Sequence, residues 1–555
     1  MIVKQRAFFL LAGIALGVSL TAAPASAADM DAMATKAPPY AVAPAAAGPT
    51  SCTSVGGFFL TDCQLLWYGV RFYGTVDMGG LYQTHGTPLD ANFPTGASYI
   101  VGAGGTGATN RTPGWGLAPN GLSQSNIGVE VKEPIAPGGW SFVARGELAF
   151  DPYSGLLANA PQALQNAKGT AQNTEALPFD SSRWGWLNTN QYLGISQSNW
   201  GTLTFFRQNT LQIDAINSYD PMGGAYAFSP LGYSGKAGGI GDTEDARWTT
   251  AIKYRVNLFG DALHIGVMGQ PIGGSNGGYN SYNPNNGAVA GDIGGTFSNV
   301  GPGAFSIDFI GTYERDAVNI SAMYPGQVLN AGGTPTTFPA DAALKATLSD
   351  NVAFSVMTKY SFGSWGNSAP PMVAKGPIAP SGPVGIPLTL YAGYEWIQFS
   401  NPSDPQATSF IDDGFTFNNS GGVNHGQVST ANLTSINNNA FNVNCGTGTG
   451  CGNEIFQIFW VGAKYGITRD LDVTGAYYEY FQNQFVNGAG ICASPGAHSQ
   501  CAGTYQVYSA VLDWRFLPKW DTYLGLVYSI AQGGIANGDI QNNNIAGVGG
   551  VRFRF

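Results

Sequence analysis

Two glycine-rich segments of the chain match spacings used by sites that do chemistry. Gly102, Gly104 and Gly107 satisfy the dinucleotide-binding expression, in which a glycine turn opens a helix that holds pyrophosphate. The continuation Ala108-Thr109-Asn110-Arg111-Thr112-Pro113 cannot open such a helix, so no nucleotide site is predicted. Gly273, Ser275 and Gly277 have nucleophile-elbow spacing, but inside a Gly/Asn-rich loop rather than between a strand and a helix. The four histidines, His85, His264, His425 and His498, are the candidate bases. A hydrolase would need one of them beside a serine and an orienting partner. Only His264 falls on a predicted strand, on the face opposite Leu263 and Ile265, and no serine partner can be nominated. The residues therefore predict no enzyme, no cofactor and no metal site.

Cysteine chemistry is the remaining candidate. The six cysteines fall in three close pairs, Cys52 with Cys63, Cys445 with Cys451, and Cys492 with Cys501. Metal ligation and free thiols are the rival readings. No His/Cys cluster with zinc spacing accompanies a pair, and the chain is marked for export, so local disulfides are expected. The export mark is a secretory signal peptide over 1–27. Lys4 and Arg6 form its basic start, Ala7 to Leu20 its apolar stretch, and Ala25-Ser26-Ala27 the cleavage site. Residues 28–66 form an N-terminal segment, Ala/Pro-rich to about residue 50, that ends on the pair of Cys52 and Cys63.

The elements that must position everything else are read from composition and alternation. Charged residues make up 10% of the 555, against roughly 25% in ordinary soluble domains. Glycine counts 79 and aromatics reach 12%, which excludes a disordered chain or a coiled coil. A net charge of −10 excludes a nucleic-acid binder. Beyond the signal peptide no apolar run of about 18 residues occurs, so no transmembrane helix is expected.

Alternation of period two recurs instead. Tyr508, Ala510, Leu512, Trp514 and Phe516 share one strand face, and Trp140, Phe142, Ala144, Leu148 and Phe150 share another, opposite Arg145 and Glu147. Trp514, Phe516, Trp520 and Tyr523 cluster near one turn like an interfacial aromatic girdle. Sixteen strands are expected, at about 67–82, 123–133, 139–151, 188–197, 201–208, 246–256, 261–271, 304–313, 317–325, 350–362, 386–397, 455–466, 471–483, 503–516, 521–530 and 543–555. Their connections alternate short and long, except at the Pro/Gly-rich insertion 363–385. An even strand number with short turns at one end and long loops at the other predicts an all-β fold. It is a transmembrane antiparallel β-barrel over 67–555, with periplasmic turns and extracellular loops.

The residues also resemble a known family. Tyr73-Gly74-Thr75-Val76-Asp77, then Ser125 through Glu133 with Gly138-Gly139-Trp140 and Arg145-Gly146-Glu147, resemble the opening hairpins of Gram-negative general diffusion porins. Tyr192-Leu193-Gly194 and Trp200 through Gln208 resemble the pair leading into that family's third loop, and Phe555 its terminal phenylalanine. Two positions depart: Asn126 stands where an arginine usually follows the serine, and Phe206 where glycine commonly precedes arginine. The resemblance implies a homotrimer, a third loop folded into the lumen, and insertion by the barrel-assembly machinery into outer-membrane lipid. That machinery would read Phe555 and Phe553.

The corresponding loop, 209–246, carries Asp214, Asp220, Asp242, Glu244 and Asp245, which the resemblance implies as constriction acids; the alternative is a solvated loop with its ordinary share of charge. Arg71, Lys132, Arg145, Arg247 and Lys253 stand on the polar face as wall bases, while Arg207 shares the phase of the outer-facing Leu203 and Phe205. Acids facing bases across a narrow gap would set ionic preference. The expected function is passive diffusion of small hydrophilic solutes and ions. The alternatives are a channel selective for a class such as sugars or organic anions, and a barrel adhesin or structural anchor.

Overall fold

A computed structural model of the chain describes residues 51–86, 113–153, 155, 189–233, 247–260, 262–270, 287–320, 327–329, 335–337, 344–365, 383–400, 417–418, 427–428, 454–485, 492, 501–536 and 541–555. The expectations for the signal peptide, for Asp242, Glu244 and Asp245, and for most of 363–385 lie outside the described residues, as do both glycine-rich motifs.

Sixteen long strands close into an antiparallel barrel. They are β1 Val70–Gln83, β2 Asn126–Ala136, β3 Trp140–Ala149, β4 Gln191–Gln197, β5 Gly201–Asn209, β6 Arg247–Leu258, β7 Leu263–Gln270 and β8 Gly287–Val300. The second half comprises β9 Gly303–Ile320, β10 Leu344–Trp365, β11 Pro383–Ser400, β12 Glu454–Gly466, β13 Leu471–Gln482, β14 Gly503–Leu517, β15 Trp520–Gly533 and β16 Asn543–Arg554. Each pairs with its sequence neighbour, and β16 returns to β1 from Thr75↔Arg554 to Gln83↔Ala546. Phe555 completes the seam by exchanging backbone hydrogen bonds with Gly74. The first strand and the last strand both have their outer ends at the short-turn rim. Closure removes every sheet edge, which a strand surrounded by lipid could not leave unpaired.

One pair of strands differs from the expectation. Residues 287–300 form β8, although they were expected in a long loop, and the segments 304–313 and 317–325 are one strand, β9, as far as Ile320. The hairpin turns at 301–302, not at 313–317. The strand count survives because the shift moves one hairpin without adding or removing one. Alternation in β8 is diluted by small residues: Gly291 and Gly295 interrupt the outer Val289, Ile293 and Phe297. No apolar face therefore stood out in the sequence.

Outward side chains are apolar and exposed, with Leu524, Leu526, Tyr508, Leu512 and Val551 on one stretch of wall. Trp514 and Phe516 join them, but the aromatic cluster divides at the turn. Trp520 donates to the carbonyl of Phe59, and Tyr523 is buried inside the barrel, because Leu524 next to it takes the outward position. At Phe206 the backbone enters the left-handed region (φ 84°) where the β5–β6 register shifts. Glycine would adopt that conformation without strain, as the departure at this position suggests. The bulge also shifts the alternation, so Arg207 is buried instead of lying with Leu203 and Phe205 on the outer face.

Residues 51–67 pack against the last strand and the β14–β15 turn. The Cys52–Cys63 disulfide closes a loop around α1, Val55–Leu60, which Ser54 caps by accepting from Gly57 N. Phe58 and Phe59 pack on Phe553, and Phe58 packs edge-on to Phe555. Lys519, in the β14–β15 turn, donates to the carbonyls of Phe58 and Cys63.

Of the two other expected disulfides, the one joining Cys492 and Cys501 is formed. The other does not appear among the described residues: Cys445 and Cys451 both fall in the long β11–β12 connection, outside them. The expected bond from Cys445 to Cys451 therefore rests on their spacing and the export context alone.

Candidate functional site

Residues 210–233 do not run over the rim but fold into the barrel. Thr210 caps α2, Leu211–Tyr219, by accepting from Ile213 N. Leu211, Gln212, Ile213, Ala215, Ile216 and Tyr219 of this helix are all buried. A helix buried around most of its circumference needs walls on several sides. The barrel supplies them through inward small residues such as Ala251, Ala290 and Ala353, alongside Met268 and Met357.

Polar anchors fix the position of the helix. Gln212 donates to Glu395 Oε1 (3.1 Å) on β11 and accepts from Ser355 (2.9 Å) on β10. Lys359 Nζ reaches Ser218 Oγ at 2.8 Å. Past the helix, Trp460 on β12 donates to the Tyr219 carbonyl, and Tyr478 on β13 donates to Asp220. Phe228 then reaches the far wall, where Ser509 of β14 donates to its carbonyl at 2.6 Å and its ring meets Tyr523 of β15. Two glycines make room for this path. A side chain at Gly462 would overlap Pro221, and one at Gly525 would overlap the Phe228 ring. The segment therefore crosses the lumen from β5 to β15, and α3, Pro230–Tyr233, follows on its far side.

The expected site residues divide into distinct groups. Asp214 and Asp220 are both on the inward segment, but neither presents a free carboxylate to the lumen. Asp214 Oδ2 lies 2.5 Å from Lys253 Nζ and 3.5 Å from Arg255 Nη1 on the adjacent strand β6, and its Oδ1 accepts from Asn209. Burial pushes its carboxyl up, yet Lys253 and Arg255 more than offset this and hold it below the usual carboxylate range. Among the described residues Asp220 has no base beside it. It accepts from Tyr478, Met222 N and Gly224 N, forming the turn after α2, and burial pushes its carboxyl up against those bonds.

The wall bases are mostly paired as well. Arg71 lies 2.9 Å from Glu130, and Arg145 ion-pairs with Glu147 while its guanidinium covers the Tyr73 ring. Arg247 lies opposite Asn209, where the inward segment leaves β5. Lys132 is exposed on the inner face near the turn rim.

Sequence reasoning missed several lumen groups: Arg255, Glu395, Lys359 and Asp77. Asp77 is fully buried and accepts from Leu122 N, Ser123 N and Tyr523 OH, folding 120–125 against the wall. The alternation of Val76 and Met78 around it was the available signal. His264 faces inward on β7, as expected, beside Asp292 of β8 and Asp308 of β9.

This geometry is a lipid-facing wall closed around a polar interior narrowed by one internal segment. The model for the Gram-negative porin family matches residues 14–369, well over half of the chain. No curated protein sequence matches significantly. Solved structures with similarity include the anion-selective porin from Comamonas acidovorans, 14% identical with a TM-score of 0.48 over 88% of this chain and 99% of that one. Pseudomonas putida OprB in its high-pH structure is 11% identical at a TM-score of 0.46, over 88% and 94%. The outer membrane channel DcaP of Acinetobacter baumannii is 12% identical at 0.41, over 88% and 97%. The family assignment rests on the sequence match alone.

Proposed function

From the premise that this chain belongs to the Gram-negative porin family and is an outer-membrane diffusion channel, we propose that it is a passive, homotrimeric pore for small hydrophilic solutes and ions. Its constriction is formed by 210–233 against the wall of β6 to β11. The observation that carries this reading is the inward segment itself, held by anchors on six strands, β10 to β15, besides the ion pairs at its base. A segment anchored so widely narrows the lumen permanently. Solutes then pass by size and charge, down their gradient, with no energy source.

Planar-bilayer recording tests it. Purified protein should insert in events of three equal conductance levels, with current linear in salt concentration. Absence of conductance would identify an anchor or adhesin instead. Saturable block by a sugar or an organic anion would identify a selective channel.

Orientation follows from the same family premise: long loops extracellular, short turns and both termini periplasmic. A cysteine placed at Thr430 in the long β11–β12 connection should react with an impermeant maleimide on intact cells, and one at Asn199 in the β4–β5 turn should not. The reverse pattern inverts the barrel. Lys519 is unsuitable as the periplasmic probe, since α1 covers it.

A further inference from the structure

We propose that His264, Asp292 and Asp308 form a binding site for a first-row divalent transition-metal cation in the inner wall of the barrel. The three residues come from three consecutive strands, β7, β8 and β9. Their ligand atoms all lie within 4.8 Å of one another. His264 and Asp308 are both register partners of Gly294, one on each side of it. Strands β7 and β9 are therefore two strand spacings apart, about 10 Å. The side chains nevertheless meet over Gly294, with His264 Nε2 at 2.8 Å from Asp308 Oδ1 and 3.5 Å from Asp292 Oδ1. Gly294 is what permits it, because a side chain there would overlap Asp308 Oδ1. Gly266, opposite Asp292, clears the second position, where a Cβ would come 3.0 Å from Asp292 Oδ2.

The carboxylates are more than nine-tenths buried, yet apart from the imidazole contact, Oδ1 of Asp292 and Oδ1 of Asp308 have no donor among the described residues. Two buried carboxylate oxygens whose one partner is the same imidazole nitrogen make a converging ligand set, in which a metal cation can take the place of the imidazole proton that otherwise joins them. Their outer atoms are already fixed. Arg255 Nη2 lies 3.4 Å from Asp292 Oδ2, and Tyr219 of α2 hydrogen-bonds Asp308. Such partners orient the ligating carboxylates toward the centre.

One nitrogen and two oxygens suit zinc and its first-row neighbours rather than calcium or magnesium, which favour all-oxygen sets. Bonds of about 2.0–2.2 Å in a tetrahedron place neighbouring ligand atoms roughly 3.4 Å apart. The 3.5 Å separation fits, and the 2.8 Å one needs a small opening. His264 is the most exposed of the three, so an ion would enter from the lumen and keep a water as its fourth ligand.

Binding is measured on folded protein in detergent, so its outcome does not depend on whether the barrel conducts. Equilibrium dialysis against Zn2+, with Mg2+ and Ca2+ in excess, should find one tight Zn2+ per chain. Affinity should fall tenfold or more in His264→Asn, Asp308→Asn and Gly294→Ala. Replacing His85, His425 and His498 together should leave it unchanged. Unaltered binding in any of the first three variants that keeps the heat-modifiable barrel mobility overturns the site, as does loss of binding in the triple variant. Should none of the three fold, Co2+ loading of the unmodified protein decides. A visible d–d band of one equivalent, displaced by Zn2+, supports the site, and its absence overturns it.

Discussion

Replacing Asp214 by Asn should raise single-channel conductance and shift the reversal potential under a salt gradient toward anions. Asp214 is the counter-charge of both Lys253 and Arg255, and it ties the first turn of α2 to β6. Removing one partner of a buried ion pair leaves the other charge uncompensated, at a cost of about 3–5 kcal/mol. The inward segment can relieve that cost by lifting its N-terminal end from the wall, which widens the gap and exposes two bases to permeating ions. Charges confined between low-dielectric walls act strongly, and salt weakens them, so the shift should be largest at low ionic strength.

The pH dependence has a definite sign. The Asp214 carboxyl is held below its usual range, so its contribution is complete above about pH 4 and disappears only as pH falls through the lower folded value. The unmodified channel should therefore approach the variant's behaviour only in strong acid. Asp220→Asn should leave ion preference unchanged, since that group faces Tyr478 and backbone donors rather than a base. Unchanged reversal potentials in Asp214→Asn, together with a shift in Lys132→Gln, would move the constriction from the inward segment to the wall.

Arg552→Met should nearly abolish the folded, heat-modifiable barrel in outer membranes while leaving export intact. Arg552 is 1% exposed and sits in the seam between the last strands and the first. It bonds both oxygens of Asp521 (2.9 and 3.1 Å), one of Asp513 (3.3 Å) and the Ser123 hydroxyl. Asp77, fully buried, is close enough for its charge to act on the same guanidinium. Without it, Asp513, Asp521 and Asp77 lose their shared guanidinium, and among the described residues Arg554 bonds Asp521 (2.6 Å). A penalty of about 3–5 kcal/mol falls on the step that closes the sheet. Deleting Phe555 should lower the yield less. It removes one backbone pair with Gly74 and the ring contacts to Phe553 and Phe58, but it leaves the ionic cluster whole. Full yield of heat-modifiable Arg552→Met protein would show that the seam closes on backbone pairing alone.

Alternation alone carried the barrel. The face of Tyr508, Leu512 and Trp514 reads the same in the chain and in the fold, because side-chain period in a strand is a local property. The two disulfides that can be seen, Cys52–Cys63 and Cys492–Cys501, were legible because each closes a short loop in an exported chain. Local pattern failed where local signal was weak: the small residues of β8 concealed a strand, and the bulge at Phe206 reversed the phase of Arg207.

The site was legible only as a set of charged residues on one face. Which acid meets which base depends on strands far apart in sequence and adjacent in register. Asp214 was readable as a loop acid, but its pairing with Lys253 follows from α2 turning inward, and Asp220 became a turn acceptor because Tyr478 stands 258 residues later on the opposite wall. His264 gave no sign of Asp292 and Asp308, since only the register across Gly294 brings them together. Sequence determined the wall, because a strand's two faces are set by neighbours two residues apart. Tertiary structure decided the interior, because a closed barrel makes every lumen contact a long-range one.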